Sequence, residues 1–440
     1  MKKIDSEAQF LERLNISELN EMQLSAQSAI ESGKDVMILS ATGSGKTLAF
    51  FLPLVQKLQR DLKKVQVLVI VPSRELALQI EQVFRSLQSG FKVSCIYGGH
   101  STKTEELSLT ETPTVIIGTP GKISYHIRNE NIDPTEVEFL VLDEFDKSLE
   151  LGFQDEMETI IESLSGLKQK ILTSATKMDE LPNFARVDNL AMVDYLKSQS
   201  NKPELELKVL HTPSKDKLKL LMQVVAEHPE GPTLIFCNHR EAAERVSDLL
   251  WAKGMSNGIY HGGMEQPDRE KALVKFRNGT HQVLVTTDLA SRGLDIPAVQ
   301  QVIHYQIPFT QESFTHRNGR TARMKASGKA YLLLSDDEYK PAYIDEEVEE
   351  VTVIEEFKMF DASPWATLYI AAGKKDKVNK IDVVGLLYKK ANLQKEEIGL
   401  IEVFDHMAYV AVNRKKINSV VQLLKSEKIK GRKYKLGVDE

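Results

Sequence analysis

The run Ser40-Ala41-Thr42-Gly43-Ser44-Gly45-Lys46-Thr47 restricts the possible folds of this chain more than any other segment. It follows the apolar stretch Val36-Met37-Ile38-Leu39, so its glycines fall where a buried strand ends and a helix begins. Residues without side chains let backbone N–H groups close around phosphate oxygens, and the following helix adds its positive end. In this reading Thr42, Gly43, Ser44 and Gly45 form the cradle, Lys46 reaches the β- and γ-phosphates, and the Thr47 hydroxyl suits magnesium. A glycine-rich turn alone is usually only a turn. Lysine and threonine directly after it, behind a strand, make it a nucleotide site.

A second apolar run, Phe139-Leu140-Val141-Leu142, ends in Asp143-Glu144-Phe145-Asp146. Asp143 therefore stands at the carboxyl end of a strand, the edge where open parallel sheets bind ligands. There it can hold magnesium through water, with Glu144 orienting or deprotonating the attacking water. An isolated acidic pair at that place reads equally well as a helix cap; the phosphate loop upstream tips the balance.

From about 33 to 190 the chain alternates short apolar strands with amphipathic helices. Val67-Leu68-Val69-Ile70-Val71, Thr114-Val115-Ile116-Ile117 and Ile171-Leu172-Thr173 join the two strands already named. This rhythm predicts a mostly parallel sheet covered by helices. A polar stretch from Lys197 to Pro213 reads as a crossing between domains, after which the rhythm resumes at Thr233-Leu234-Ile235-Phe236, Val283-Leu284-Val285-Thr286 and Ala330-Tyr331-Leu332-Leu333-Leu334. The acidic segment Asp336 to Asp361 reads as a spacer or a helical connection. The terminal part predicts a βαββαβ order, with strands at Thr367–Ala371, Gly399–Phe404, Tyr409–Asn413 and Tyr434–Val438, and helices near Ile381–Lys390 and Lys415–Ser426. The expected domains are 1–200, 210–340, an acidic linker at 341–364, and a small α+β module at 365–440.

Charge separates these parts. The whole chain carries a net −6, yet from Thr367 onward 16 Lys and Arg face 9 Asp and Glu, a net of +7 that leaves −13 for the rest. A basic surplus concentrated in a small terminal module suits electrostatic attachment to nucleic acid, against the plainer reading of a solvated charged face. No apolar run reaches membrane-spanning length and no signal-peptide pattern opens the chain, which predicts a cytoplasmic protein without membrane partners. Cys95 and Cys237 lie in apolar strand-like runs and are expected as buried free thiols.

The ordered motifs make the chain resemble the DEAD-box ATP-dependent RNA helicases over about 15 to 335. Besides the phosphate loop and Asp143-Glu144-Phe145-Asp146, they are Pro72-Ser73-Arg74-Glu75-Leu76-Ala77, Gly98-Gly99, Thr119-Pro120-Gly121-Lys122, Ser174-Ala175-Thr176, His261-Gly262-Gly263-Met264, Thr287-Asp288 through Arg292-Gly293-Leu294-Asp295, and His316-Arg317-Asn318-Gly319-Arg320-Thr321-Ala322-Arg323. The resemblance implies two tandem RecA-like parallel-sheet domains, with ATP and Mg2+ as cofactors. It implies that Gln23 reads adenine, that Asp295 contacts ribose, and that Asp288 helps form the closed site. Arg320 and Arg323, three apart on one helical turn, are implied to meet the transferring phosphate, while Asp146, Ser174, Thr176 and His316 couple the domains. On the RNA side it implies Pro72, Arg74, Gly99, Thr119, Gly121 and Lys122 in the first domain, and Arg240, Gly262, Thr287 and Arg292 in the second.

Several positions depart from the family pattern. The usual upstream adenine-stacking aromatic has no counterpart except Phe10; Phe145 replaces an alanine; Lys122 replaces an arginine; Asn318 and Ala322 replace an aliphatic residue and a glycine. Residue chemistry alone places an isolated Gln23 on an exposed helix face.

The terminal module, RRM-like in its strand and helix order, resembles the RNA-binding domain of the DbpA-type bacterial helicases. The resemblance rests on Leu368-Tyr369-Ile370, Gly373-Lys374-Lys375-Asp376-Lys377, Ile398-Gly399, Tyr409-Val410-Ala411-Val412 and Lys428-Ile429-Lys430-Gly431-Arg432. Lys374, Lys375, Lys377, Lys430, Arg432 and Lys433 are the candidates for phosphate contact, whereas Tyr369 and Tyr409 read either as base-stacking or as packing residues. The resemblance implies structured RNA as partner, namely large-subunit ribosomal RNA and pre-ribosomal particles, with a monomer expected. The alternative reading is an ATP-gated RNA clamp or annealing protein with little strand separation.

Overall fold

The computed structural model describes residues 5–41, 43–99, 102–178, 180–187, 189–196, 205–227, 231–291, 296, 299–321, 328–344, 348, 350–352 and 362–439. The described residues divide into two compact units, one up to residue 196 and the other from residue 205 onward.

The first unit holds seven strands: β1 Val36–Leu39, β2 Val67–Ile70, β3 Val93–Ile96, β4 Val115–Gly118, β5 Phe139–Leu142, β6 Gln169–Ser174 and β7 Ala191–Asp194. They form one sheet in the order β3-β4-β2-β5-β6-β1-β7. Every pair in it is parallel. Helices α1 Glu7–Leu14, α2 Glu21–Glu31, α3 Lys46–Lys57, α4 Arg74–Ser86, α5 Thr102–Leu109, α6 Pro120–Arg128, α7 Phe145–Glu150 and α8 Gln154–Ser163 accompany them. The continuous apolar strands follow from burial on both faces. Val36 and Ile38 enter one core, while Met37 and Leu39 enter the opposite one, as the twofold period of a strand requires.

The second unit repeats the plan with β8 Leu205–His211, β9 Thr233–Phe236, β10 Gly258–Tyr260, β11 Val283–Thr286, β12 Gln301–His304, β13 Gly328–Leu334 and β14 Glu350–Thr352. Their order is β10-β11-β9-β12-β13-β8-β14. Helices α9 Leu218–Glu227, α10 Arg240–Ala252, α11 Gln266–Arg277 and α12 Gln311–Asn318 belong to it. A third sheet, β15 Trp365–Ile370, β16 Ile398–Val403, β17 Ala408–Asn413 and β18 Leu436–Asp439, is antiparallel in the order β16-β17-β15-β18. Helices α13 Lys380–Lys390 and α14 Ile417–Leu424 complete the expected βαββαβ module.

Two expectations change. The polar stretch ending at Pro213 is not wholly a crossing, because Leu205–His211 is a strand paired with both β13 and β14. The acidic segment is neither plain spacer nor helix throughout: Glu350–Thr352 adds an edge strand to the second sheet, and Ile344 is buried against it. Residues 345–347, 349 and 353–361 lie outside the described residues. Both cysteines are free, Cys237 buried and Cys95 only half-buried.

β12 escapes a reading for apolar runs because two of its four residues are polar, yet Gln301 and His304 are fully buried. Gln301 donates to the Thr233 hydroxyl at 2.8 Å, and His304 Nε2 donates to Asn318 Oδ1 at 2.8 Å. Asn318, a departure from the family pattern, is thus the polar partner of a buried imidazole. Burial, reinforced by the Arg317 charge, pushes the His304 pKa down to about 3. An unfolded imidazole titrates near 6.5, so unfolding takes up a proton between these limits. The stability owed to neutral His304 is present above pH 6.5 and lost as the pH falls. We expect the thermal midpoint to drop between pH 7 and 5. The slope should be shallower, by up to about 1.4 kcal/mol per pH unit, in His304→Leu/Asn318→Leu. Parallel pH profiles for the two proteins would remove His304 from this account.

Candidate functional site

The phosphate loop begins at the carboxyl end of fully buried β1. Gly43 and Gly45 take φ values of +82° and +90°, and a Cβ on Gly45 would lie 2.4 Å from Gln23 Nε2. Glycine is therefore required at Gly45 on both backbone and steric grounds. Asn20 Nδ2 donates to the Ser44 carbonyl at 3.0 Å, and Gln23 Nε2 to the Gly45 carbonyl at 3.2 Å. Asn20 and Gln23 also form the reciprocal cap of α2. Gln23 is consequently buried, not on the exposed face that its isolated chemistry suggests, and Asn20 is a second loop-fixing residue that the motif reading missed. Lys46 opens α3 and donates to the Ser40 and Ala41 carbonyls at 2.6 and 3.0 Å, which holds its ammonium inside the loop. Thr47 lies half-buried beside it, and the Ser44 hydroxyl is buried with no partner among the described residues. Thr42 lies outside those residues.

Register then brings the acidic motif to the loop. Ser40 N–H donates to the Ser174 carbonyl at 3.1 Å, so β6 runs beside the loop on one flank and β5 on its other. The Thr173 hydroxyl donates to Asp143 Oδ1 and accepts from the Glu144 N–H at 3.2 Å. Thr173 thus fixes both acidic residues; its only trace in the sequence is a polar residue ending an apolar strand. Glu144 takes a left-handed φ of +49°, a costly conformation for a non-glycine that turns the chain into α7. Burial raises the Asp143 pKa, against the Thr173 hydrogen bond and the Lys46 charge. Thr176 donates to Asp146 Oδ2 at 2.8 Å, while Ser174 bonds within the Ser174–Thr176 turn. Phe145 points into the core against Phe184. Phe10 is fully buried among core residues and presents no open ring face for adenine.

The other half of the same sheet edge carries different chemistry. Pro72 and Arg74 follow β2, Gly99 follows β3, and Thr119, Gly121 and Lys122 follow β4. These strands are neighbours in the order β3-β4-β2. The Arg74 guanidinium lies over the Tyr97 ring at 4.6 Å, and a Cβ on Gly99 would come within 3.4 Å of it. Gly121 is open to approach.

In the second unit, Gly262 follows β10, Thr287 and Asp288 follow β11, and Arg240 opens α10 after β9, again on three adjacent strands. Gly263 lies against the Arg240 side chain, which is exposed and paired with Glu241 at 2.6 Å. Asp288 binds Arg317 through both oxygens, at 2.6 and 3.1 Å. Arg317, missed as a site residue, also donates to Asn238 and the Gln306 carbonyl and is fully buried. Its spacing after His316 was the available signal. His316 is buried on α12. Arg320 does not continue that helix: Gly319 ends it, and Arg320 Nε donates to the Ser291 carbonyl at 2.8 Å. Arg292, Asp295 and Arg323 lie outside the described residues.

The terminal module buries one sheet face under α13 and α14, through Ala366, Leu368, Ile370, Ala408, Val410 and Val412. Its opposite face meets the second parallel-sheet domain within the same unit. Asn278 Nδ2 donates to the Thr367 hydroxyl at 2.9 Å, Thr280 and Thr367 hydroxyls lie 2.8 Å apart, and Lys275 and Arg277 pair with Asp439 and Glu402 at 3.1 and 2.8 Å. Tyr369 and Tyr409 face each other across β15 and β17 with ring centroids 5.5 Å apart, Tyr409 being buried. Tyr409 is therefore a packing residue here. The basic candidates gather elsewhere, at one end of the module. Ala371 N–H donates to the Lys435 carbonyl at 2.8 Å, and Lys430 pairs with Asp382 in the first turn of α13 at 3.0 Å. These contacts bring exposed Lys374, Lys375 and Lys377 beside exposed Lys430, Arg432 and Lys433.

Comparison with known proteins agrees with this arrangement. Residues 20–184 match the DEAD/DEAH box helicase family, 216–325 the helicase conserved C-terminal domain, and 367–437 the DbpA RNA binding domain. The ATP-dependent RNA helicase DbpA of Escherichia coli is 33% identical over 432 residues, covering 96% of this chain and 94% of the relative. Its Bacillus subtilis namesake is 28% identical over 458 residues, covering 97% and 96%. Among solved structures, S. cerevisiae Dbp5 bound to RNA and ADP BeF3 is 25% identical with a TM-score of 0.68, covering 79% of this chain and 94% of that one. The chain belongs to the DEAD-box ATP-dependent RNA helicases, with two RecA-like domains and a DbpA-type RNA-binding domain.

Proposed function

We propose that the protein hydrolyses ATP when RNA binds and uses the cycle to separate or remodel short RNA structure, its target being large-subunit ribosomal RNA in pre-ribosomal particles. The observation that carries this reading is the division of the first sheet edge. The phosphate loop follows β1, the acidic turn β5 and the Ser-Ala-Thr turn β6, while the candidate RNA contacts follow the adjoining β2, β4 and β3. One rigid sheet thereby links the two ligands. The two DbpA relatives support the terminal module as the address. The cytoplasm is the compartment we propose; among the described residues no helix is long and apolar enough to cross a membrane.

In this mechanism the loop N–H groups and Lys46 bind the phosphates, and Gln23 reads adenine while bracing Gly45. The Thr47 hydroxyl and Asp143 carboxylate are hard oxygen donors of the kind magnesium takes alongside phosphate oxygens. Bound there, magnesium supplies charge neutralisation of the phosphates. Glu144, held at its backbone by Thr173, orients the attacking water and takes its proton. Arg320 and Arg323 act on the transferring phosphate, and Arg317 with Asp288 braces the segment before them. Asp146, Ser174, Thr176 and His316 couple this chemistry to the domains, with Asp295 on ribose.

Lys46→Ala should weaken ATP-analogue binding more than tenfold in a fluorescence titration, since it removes the loop's only side-chain cation. Glu144→Gln should keep that affinity but lower turnover roughly 10²-fold or more, and undiminished hydrolysis would refute its assignment. For the address, substitution is cleaner than truncation, because removing the module would uncover Asn278 and Lys275. Lys374→Ala/Lys377→Ala/Lys430→Ala/Arg432→Ala should reduce ATPase stimulation by a ribosomal RNA hairpin more than tenfold, while stimulation by unrelated single strands at the same salt stays close to wild type. An equal loss on both RNAs would sink the targeting role. Hydrolysis with persistent RNA binding and no strand release would make the protein a clamp.

A further inference from the structure

Lys122, proposed above as an RNA phosphate contact, is already engaged by a carboxylate. Its Nζ lies 2.8 Å from Glu105 Oε2 on α5 and donates to the Thr102 hydroxyl at 3.3 Å. The Glu105 side chain is 1% exposed, whereas that of Lys122 is 21% exposed. Glu105 is held by two further donors: His126 Nε2 at 3.0 Å on the same oxygen and the Tyr97 N–H at 3.3 Å on the other. Asn131 Nδ2 donates to His126 Nδ1 at 3.1 Å, which turns the Nε2 edge of the buried imidazole to Glu105. Lys122 and Glu105 thus set one positive charge directly against one negative charge.

We propose that Glu105 is a specificity-determining residue: it cancels the charge that Lys122 presents to RNA, so that the first domain grips generic single strands weakly and selection falls to the terminal module. The proposal rests on Lys122 contacting phosphate. Two of the three ammonium protons are directed to Glu105 and Thr102, leaving one for RNA. Glu105 is shut off from water and counterions, so its repulsion of an approaching phosphate is poorly screened. Holding Lys122 in place gains some order, but a lysine on a flexible stem needs little aiming to attract phosphate. The repulsion outweighs the aiming, and the carboxylate acts as a damper.

The test is binding of a fluorescein-labelled ten-nucleotide oligouridylate to the full chain with a non-hydrolysable ATP analogue, followed by anisotropy across a KCl series. The damper predicts an affinity order set by cluster charge: Glu105→Gln tightest, wild type and Glu105→Gln/Lys122→Ala alike, and Lys122→Ala weakest. Glu105→Gln should bind about threefold to tenfold more tightly. Its log–log salt slope should steepen by about 0.7, the increment for one phosphate contact on a single strand. Glu105→Asp keeps the charge while disturbing the packing, so its slope should match wild type; thermal melting of each variant reports folding separately. Unchanged or weaker binding by folded Glu105→Gln, with Lys122→Ala still weakened, overturns the damper alone. If Lys122→Ala leaves affinity untouched, Lys122 is not an RNA contact and the proposal falls with that assignment.

Discussion

The parallel register of three strands, β5, β6 and β1, is the constraint on which the site depends. Leu39 pairs with Ser174 and Leu142 with Leu172, so the loop after β1, the acidic turn after β5 and the Ser-Ala-Thr turn after β6 emerge at one level. Thr173 can then touch Asp143 and the Glu144 backbone together. A shift of one residue would turn Thr173 to the opposite face and place apolar side chains beside the phosphate loop. Burial of all four residues of β1 and of β5 penalises such a shift strongly. The same packing that stabilises the domain therefore aligns its chemistry.

The second unit solves a different problem. An antiparallel sheet has two faces, and the terminal module covers only one with its own helices. The other is closed by Asn278, Thr280, Lys275 and Arg277, through hydrogen bonds and ion pairs. Buried polar contacts of this kind add little net stability but penalise misalignment, because each unmet partner loses solvation without compensation. Closing that face takes Tyr409 out of contention for base stacking and leaves the lysine-rich end of the module open.

Much of this was legible in residue order. The phosphate loop, the acidic turn, the paired α/β domains and the basic βαββαβ tail follow from local patterns: an apolar run before a glycine turn, twofold or 3.6-residue periodicity, a local charge excess. The misreadings have a common cause. β8, β12 and β14 carry polar residues because Gln301 and His304 find buried partners and Glu350–Thr352 lies at a sheet edge, so apolarity alone cannot find them. Gln23 read as exposed because its partner, Gly45, is 22 residues away. Arg320 read as helical because the end of α12 at Gly319 depends on how the turn packs.

Spacing along the chain was enough to propose the nucleotide-binding residues, since the glycines, Lys46 and Thr47 belong to eight consecutive residues between the end of β1 and the start of α3. Contacts between distant segments lay beyond its reach. Thr173 beside Asp143, Arg317 on Asp288, Glu105 under Lys122 and Thr367 against Asn278 each join segments 17 to 89 residues apart. Such partners are chosen by strand order and register, which the whole core fixes at once, so no local stretch of sequence contains them.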